Sequence, residues 1–434
     1  MERAELIERI EGEAFIDFAT NQDGSVRDAA IRFVHFRGME AILEGRPALD
    51  ALVITPRVCG ICGHSHLQAA VRMLESLYVN AGKKLLLSDK AQKIRRITLL
   101  CELIQNHIKW LYMIMSHEST KLLGNVPQTP LKALYITGRI NQIAALFSGQ
   151  WPHNSYALPG GVTCDPTHLE LMQALRLHKE IGTFIYDELL GCEIARFESF
   201  RQASQLLSLE GELGRVLRNF EKLGLLEQGQ SHNRFLVLAD DTHASPIALS
   251  DRRRRSDPDQ VSEDDSQTFE HGGNTYARKA LYEGEFYETG PLARALGMER
   301  PLIKALSETT GNGALTRIAA RVDESVRLFV ELRTILETLD LSEASFIAPE
   351  RIETISGSGI GIVEAPRGSL IHRATVENGK IVHYSIITPT QWNLGNGTSE
   401  HPGIAQKAMI GASSCAHATL LFRTFDVCSV CTTH

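Results

Sequence analysis

The chain has 434 residues, 43% of them hydrophobic and 22% charged, with a formal net charge of −7. That is enough chain for a large buried core, as one big domain or as two to three ordinary ones. The acidic balance argues against nucleic acid as a partner. Met1 to Ile10 is charged and carries no apolar signal region. No run of about 18 apolar residues is free of charge, so no segment is expected to span a membrane; export would need a partner that carries the signal.

In chain order, Ala14–Phe18 and Ala30–Val34 read as strands split by Asp23-Gly24, and a short helix follows at Met39–Leu43. A Cys-x-x-Cys pair lies just after Pro56, at the start of a helix through Leu67–Tyr78. Leu86–Leu123 holds neither Gly nor Pro and repeats apolar residues at helical spacing, as one very long helix or two nearly continuous ones. Further helices are expected at Leu131–Phe147, His168–Leu190, Ala203–Leu225 and Leu315–Leu339. Residues 241–290 are the least regular part and read as an irregular surface excursion. The only basic run, Arg252–Arg255, is followed by Asp257, Asp259, Glu263, Asp264 and Asp265, the pattern of a solvated loop. Leu370–Thr388 reads as a hairpin turning at Asn378-Gly379, and a last helix runs from about Pro402 to Phe425. There is no internal repeat and no convincing linker. The fold class is mainly α with minor β (α+β): a large helical-bundle core with peripheral β-hairpins, in one domain over residues 1–434.

Eight cysteines are present, and four form two pairs at opposite ends of the chain. The first is Cys59-Gly60-Ile61-Cys62, followed by His66; the second is Cys428-Ser429-Val430-Cys431, followed by His434, the last residue. Cys101, Cys164, Cys192 and Cys415 stand alone and read as buried small hydrophobes rather than a disulfide framework. A helix N-terminus favours thiolates, because its unpaired N–H groups point at the charge. Four thiolates suit zinc, iron–sulfur, nickel or copper. Paired Cys-x-x-Cys motifs are a common form of structural zinc site. More than 360 residues separate these two pairs, which argues against a small local staple. On spacing alone a zinc site and a nickel- or iron-containing catalytic centre both stay open.

Arg-x-Cys-Gly-x-Cys-x-x-x-His near one end and Asp-x-Cys-x-x-Cys-x-x-His at the other resemble the large subunit of [NiFe] hydrogenases. The resemblance continues through Arg9-Ile10-Glu11-Gly12, Arg37-Gly38-Met39-Glu40, Pro159–Val162, Glu288–Arg294, Glu364–Gly368 and Pro389–Asn393. It implies a catalytic subunit that splits H2 heterolytically, reversibly with proton reduction, at a nickel–iron centre whose iron carries one carbon monoxide and two cyanides. Cys59 and Cys428 would be terminal nickel ligands, and Cys62 and Cys431 would bridge nickel and iron. Glu11 matches the family's proton-relaying glutamate, and Arg367 the arginine over the metals, with Asp426 paired near it. Pro366, Pro389 and Thr390 match residues around the cyanides, and His66 would donate to a bridging thiolate. Glu40, a backbone carbonyl near Ile386 and His434 match ligands of a magnesium-like ion that pins the chain end. The family's C-terminal extension is removed after that histidine, which would explain a chain ending on His434.

Two departures stand out. Val427 replaces the proline usual before the third cysteine, and Asn106, before His107, stands where some members carry an aspartate near the arginine. The chain has no cysteines left for an electron relay, so the resemblance implies an obligate partner, an iron–sulfur small subunit. The compact length favours a cytoplasmic type over a periplasmic one, with a membrane-associated or periplasmic place through the partner subunit as the alternative. The alternatives are a regulatory H2-sensing subunit with weak turnover and a structural zinc protein. A relative of the quinone-site subunit of respiratory complex I would have lost the cysteine pairs that this chain keeps.

Overall fold

The computed structural model of the chain describes residues 2–8, 12–241, 245–426 and 428. Glu11, Cys431 and His434 lie outside the described residues.

Three antiparallel strands, β1 (Glu2–Glu8), β2 (Gly12–Thr20) and β3 (Val26–Arg32), open the fold in that order. Ala14, Ile16 and Phe18 alternate into the core from β2, as the period of a half-buried strand requires. The turn to β3 closes on Asp23, whose carboxylate accepts the Ser25 N–H at 2.9 Å.

The core is helical. α1 (Gly63–Asn80) is followed by α2 (Asp89–Lys109), which passes through a widened π turn at Trp110–Ser116 into a last segment, His117–Leu122. The Gly- and Pro-free stretch is therefore one continuous helical run. It starts at Asp89 because the Ser88 hydroxyl accepts the Ala91 N–H and caps it. α3 (Leu131–Ser148) packs on α2, and α4 (His168–Phe184), begun by a Thr167/Glu170 capping box, packs on α3. α5 (Pro291–Gly297) leans on α6 (Ala314–Glu337), which closes on α2. One apolar core runs through all of them. The helix expected over Ala203–Leu225 is instead two, Ala203–Leu207 and Glu212–Lys222. Between them Gly211 presses on the backbone of Leu190, where a Cβ would come within 2.4 Å.

Residues 245–290 alternate exposed turns with short strands. Arg252–Arg255 is exposed, but Ala248, Val261, Ala280, Tyr282 and Tyr287 are buried and gather with Trp392 in a second apolar cluster.

The C-terminal sheet has strands β4 (Gly357–Ala365), β5 (Gly368–Glu377) and β6 (Lys380–Ile387) in antiparallel order. The β5–β6 hairpin turns on Asn378-Gly379, with φ of 48° and 74°, as the sequence predicts. Strand β4 extends the expected hairpin. α1 lies directly on it through two glycines: a Cβ on Gly359 would meet the Met73 carbonyl at 2.3 Å, and one on Gly361 the Ala69 carbonyl at 1.9 Å. α7 (Pro389–Leu394) follows β6. The expected last helix is again two pieces, Ile404–Met409 and α8 (Cys415–Arg423). Gly411, at φ 87°, breaks it, and the Ser414 hydroxyl restarts it by accepting the His417 N–H.

Candidate metal centre

Cys59 and Cys62 lie in the turn that leads into α1. The Cys59 sulfur accepts the N–H groups of Ile61 and Cys62, both at 3.3 Å, so the turn is shaped to hold a sulfur carrying negative charge. Gly63 must follow, since a Cβ there would stand 2.8 Å from the Pro56 carbonyl. The first turn of α1 has no local side-chain cap. Its cap comes from α2: the Glu102 carboxylate accepts the N–H groups of His64 at 2.8 Å and Ser65 at 3.0 Å, and the Ser65 hydroxyl as well. Burial pushes the Glu102 carboxyl up to about 8 against those donors. His64 is buried beside it, its Nε2 2.8 Å from the Asn154 amide nitrogen, and burial pushes its imidazole down to about 3.

Cys428, just past α8, brings its sulfur to 3.7 Å from that of Cys59. A disulfide would need about 2.0 Å. Two thiolates about 2.3 Å from one metal in tetrahedral geometry stand about 3.8 Å apart. The pair from opposite ends of the chain therefore has the spacing of two ligands of a shared ion. Cys62 packs with both in one buried cluster. Among the described residues no group of three or more His, Cys, Asp or Glu side chains is gathered tightly enough to hold a metal, and Cys431 lies outside them. Of the lone cysteines Cys101 is buried as expected, while Cys164, Cys192 and Cys415 are only half-buried at the edge of the main apolar core, and none belongs to the cluster of Cys59, Cys62 and Cys428.

A small cavity opens beside Cys62. It is lined by His66, Ala365, Pro366, Arg367, Leu370, Pro389 and Thr390. The Thr390 hydroxyl is buried there without a hydrogen-bond partner among the described residues. Its walls are three elements: α1 supplies Cys62 and His66, the β4–β5 turn supplies Pro366 and Arg367, and α7 supplies Pro389 and Thr390.

Arg367 donates from Nε to the Asp426 carbonyl at 2.9 Å and from a terminal nitrogen to its carboxylate at 3.2 Å. The other carboxylate oxygen accepts from Arg321 at 2.7 Å. Asp426 sits at φ 61°, so these two arginines hold a non-glycine residue in the left-handed region two positions before Cys428. Arg321 lies over the Trp110 ring and donates to His107 Nδ1 at 3.3 Å. His107 Nε2 must then carry the proton and donate to Glu324, 3.0 Å away. Burial pushes the His107 imidazole down to about 4, which keeps it neutral. Arg294 completes the frame with bonds to Glu324 at 2.6 and 2.8 Å and to Glu364 at 3.1 Å. Gly290 and Gly368, both at positive φ, let the backbone before α5 approach the Arg367 turn; a Cβ on Gly290 would meet the Arg367 carbonyl at 2.8 Å. Asn106 is buried, with its carbonyl oxygen unpartnered among the described residues.

Beside β6, the Glu40 carboxylate accepts the Ile386 N–H at 2.7 Å, and Arg278 stands 3.5 Å from its other oxygen. Glu40 and Ile386 are thus neighbours, joined through the amide nitrogen rather than the carbonyl. Glu102, His107, Arg294, Arg321, Glu324, His372 and Tyr384 were not foreseen as site residues. Arg294 ends the singled-out stretch Glu288–Arg294, and His107 follows Asn106, but their partners are remote in sequence.

The family described as Nickel-dependent hydrogenase matches residues 37–118 and 126–434. An F420-non-reducing hydrogenase subunit of Methanothermobacter marburgensis is 24% identical over 471 residues, spanning 99% of this chain and 94% of the relative. The large subunit of the periplasmic [NiFeSe] hydrogenase of Desulfomicrobium baculatum is 23% identical over 500 residues, spanning 98% and 93%. The Ni-Fe-Se hydrogenase from D. vulgaris Hildenborough in its reduced state has the same fold, with a TM-score of 0.83 at 22% identity over 100% of this chain and 99% of that one. A match that runs through both cysteine motifs and the cavity wall between them makes this chain a member of the nickel-dependent hydrogenase family, oxidoreductases that act on H2.

Proposed function

We propose that the chain, as a single domain over residues 1–434, is the catalytic large subunit of a [NiFe] hydrogenase. Its nickel would be held by Cys59, Cys62, Cys428 and Cys431, with Cys62 and Cys431 also serving an iron that would carry one carbon monoxide and two cyanides. The observation that carries this is the pairing of two unlike features. Cys59 and Cys428 stand 3.7 Å apart, and beside Cys62 lies a cavity of prolines, apolar walls, one guanidinium and one unpartnered hydroxyl. A closed structural zinc site uses its four ligands and needs no such cavity. Small diatomic ligands do, and the Thr390 hydroxyl is the donor that a cyanide nitrogen would accept from.

When bound, the group supplies heterolytic cleavage of H2. The chain's own part is to hold charge and move a proton. Arg367, fixed by Asp426, keeps a permanent positive charge on the cavity wall. Glu11 would relay the proton, the role that its match to the family's glutamate implies. His66 donates to the Cys62 sulfur. Glu40, Ile386 and His434 hold a magnesium-like ion near the chain end; the proximity of Glu40 to Ile386 supports this. Electrons leave through an iron–sulfur small subunit, since the four other cysteines are dispersed. No helix among the described residues is long and apolar enough to cross a membrane, and the compact length favours a cytoplasmic enzyme. The test is an infrared spectrum of the purified complex. One carbonyl and two cyanide bands that shift under H2 are expected. Their absence, with zinc found by metal analysis, would replace this reading with a structural zinc site.

A further inference from the structure

His66, His372 and Tyr384 form a buried chain of hydrogen bonds that ends at the cavity. His66 stands in the first turn of α1 and lines the cavity with Cys62. Its Nδ1 is 3.0 Å from His372 Nε2, and His372 Nδ1 is 2.7 Å from the Tyr384 hydroxyl. All three side chains are at most 1% exposed. β5 presents His372 and β6 presents Tyr384, neighbouring strands of the sheet on which α1 rests.

Such a chain has two possible polarities. In one, the phenol donates to His372 Nδ1, His372 donates from Nε2 to His66 Nδ1, and His66 keeps its own proton on Nε2. In the other every bond is reversed, and His66 offers a bare Nε2 lone pair. Two facts choose between them. Among the described residues the Tyr384 hydroxyl has His372 as its one hydrogen-bond partner, so reversal would leave a buried O–H with no acceptor, at about 1–3 kcal/mol. The sulfur of Cys62, for its part, accepts hydrogen bonds when ionised and cannot supply one to a lone pair.

We propose that Tyr384 and His372 are positioning residues that lock His66 in its Nε2–H tautomer, so that the ring turns a donor, and not a lone pair, toward the Cys62 sulfur. The imidazole Nδ1 is engaged with His372 and the residue lines the cavity with Cys62, so the proposal assigns the ring's other nitrogen, Nε2, to that side. A partner that sets the tautomer of a ring beside a metal ligand tunes that ligand without touching it. This rests on the nickel–iron reading of the site.

The test compares infrared spectra of the metal-loaded complex in four forms: unaltered, Tyr384→Phe, His66→Phe and the double variant. The expected result is a shift of the carbonyl band by a few wavenumbers in Tyr384→Phe at unchanged metal content, and no further shift when Tyr384→Phe is added to His66→Phe. A tyrosine with a merely structural role would lower stability in both backgrounds and leave the band in place. Bands that stay put in Tyr384→Phe, or move equally in both backgrounds, overturn the proposal alone. Absence of the bands from the unaltered complex overturns the nickel–iron reading and this proposal with it. Should Tyr384→Phe fail to assemble, the unaltered complex decides. With 15N-labelled histidine, both His66 and His372 must show a protonated Nε2 and a bare Nδ1, and a protonated Nδ1 on either refutes the lock.

Discussion

The most informative single substitution is far from both cysteine pairs in sequence. Gly361 lies in β4, where α1 crosses it, and a Cβ there would sit 1.9 Å from the Ala69 carbonyl oxygen and 2.4 Å from the Met73 nitrogen. Both are helix backbone, so no side chain can rotate away. Reaching even 3.0 Å, a separation below which Cβ atoms are essentially never found, requires helix and strand to part by about 1.1 Å. The helix carries Cys62 and His66 at its N-terminus, and the strand runs directly into Pro366 and Arg367, so the parting falls on opposite walls of the cavity. A misplacement of about 1 Å is worth about 100-fold in rate, and overpacking costs about 1–3 kcal/mol. For 434 residues the unfolding entropy is about 0.9 kcal/mol/K at the average per-residue value. The stability loss therefore lowers Tm by only about 1–3 °C. Gly361→Ala should thus lose about two orders of magnitude in H2-dependent dye reduction while melting almost normally. Unchanged turnover, with or without a lower Tm, would refute the claim that this contact sets the cavity.

Three further outcomes follow from the same structure. Asp426→Asn leaves Arg321 and Arg367 buried with no shared anion; breaking buried pairs costs about 3–5 kcal/mol, or about 3–6 °C by the entropy above, and adding Arg321→Met should restore part of it in a thermal melt. His107 is held neutral in the fold, about 4 against an ordinary 6.5, so below pH 6.5 the unfolded chain binds a proton that the native one refuses. The native protein should lose about 2 kcal/mol more than His107→Gln between pH 7 and pH 5, and a difference independent of pH would show that the ring is charged in the fold. Gly138 is exposed in the middle of α3 with open space where a Cβ would go, so Gly138→Ala should stabilise by about 0.5–1 kcal/mol, and a lower Tm would contradict that reading.

What could be read from the chain was what is local to it. The hairpin was legible because Asn378-Gly379 accepts left-handed backbone at two successive positions. The long helical run was legible because nothing in it breaks the period, and only its start needed a cap, Ser88, to be placed. The breaks at Gly211 and Gly411 were missed because apolar spacing continues across both. Gly359 and Gly361 give no hint in sequence that a helix lies on them. The described cysteines were legible as motifs, yet the reason the first motif holds its shape was not. The cap on α1 comes from Glu102, more than 35 residues away on another helix. Arg294, Arg321 and Glu324 are ordinary helix-surface residue types until α5, α6 and the Arg367 turn close on one another.

The frame around the site is ionic where an apolar core would be more stable. Arg294 binds Glu324 and Glu364, Arg317 binds Glu288, and Arg321 and Arg367 share Asp426, all of them buried. Buried pairs of this kind barely offset their own desolvation. What they supply is direction. A guanidinium can satisfy carbonyl and carboxylate acceptors at fixed angles at once, as Arg294 does with Glu364 and the Ala365 carbonyl, and Arg367 with both the backbone and side chain of Asp426. Those bonds tie the turn before β5 to the segment after α8, and so tie the cavity wall to Cys428. The proposed nickel–iron centre would add an electrostatic need, since thiolates held on one metal repel one another and fixed positive charge opposes that repulsion. Apolar residues in the place of Arg321 and Arg367 would pack as well, but they would neither hold Asp426 in its left-handed conformation nor oppose the charge that cysteine ligands of the proposed centre would carry.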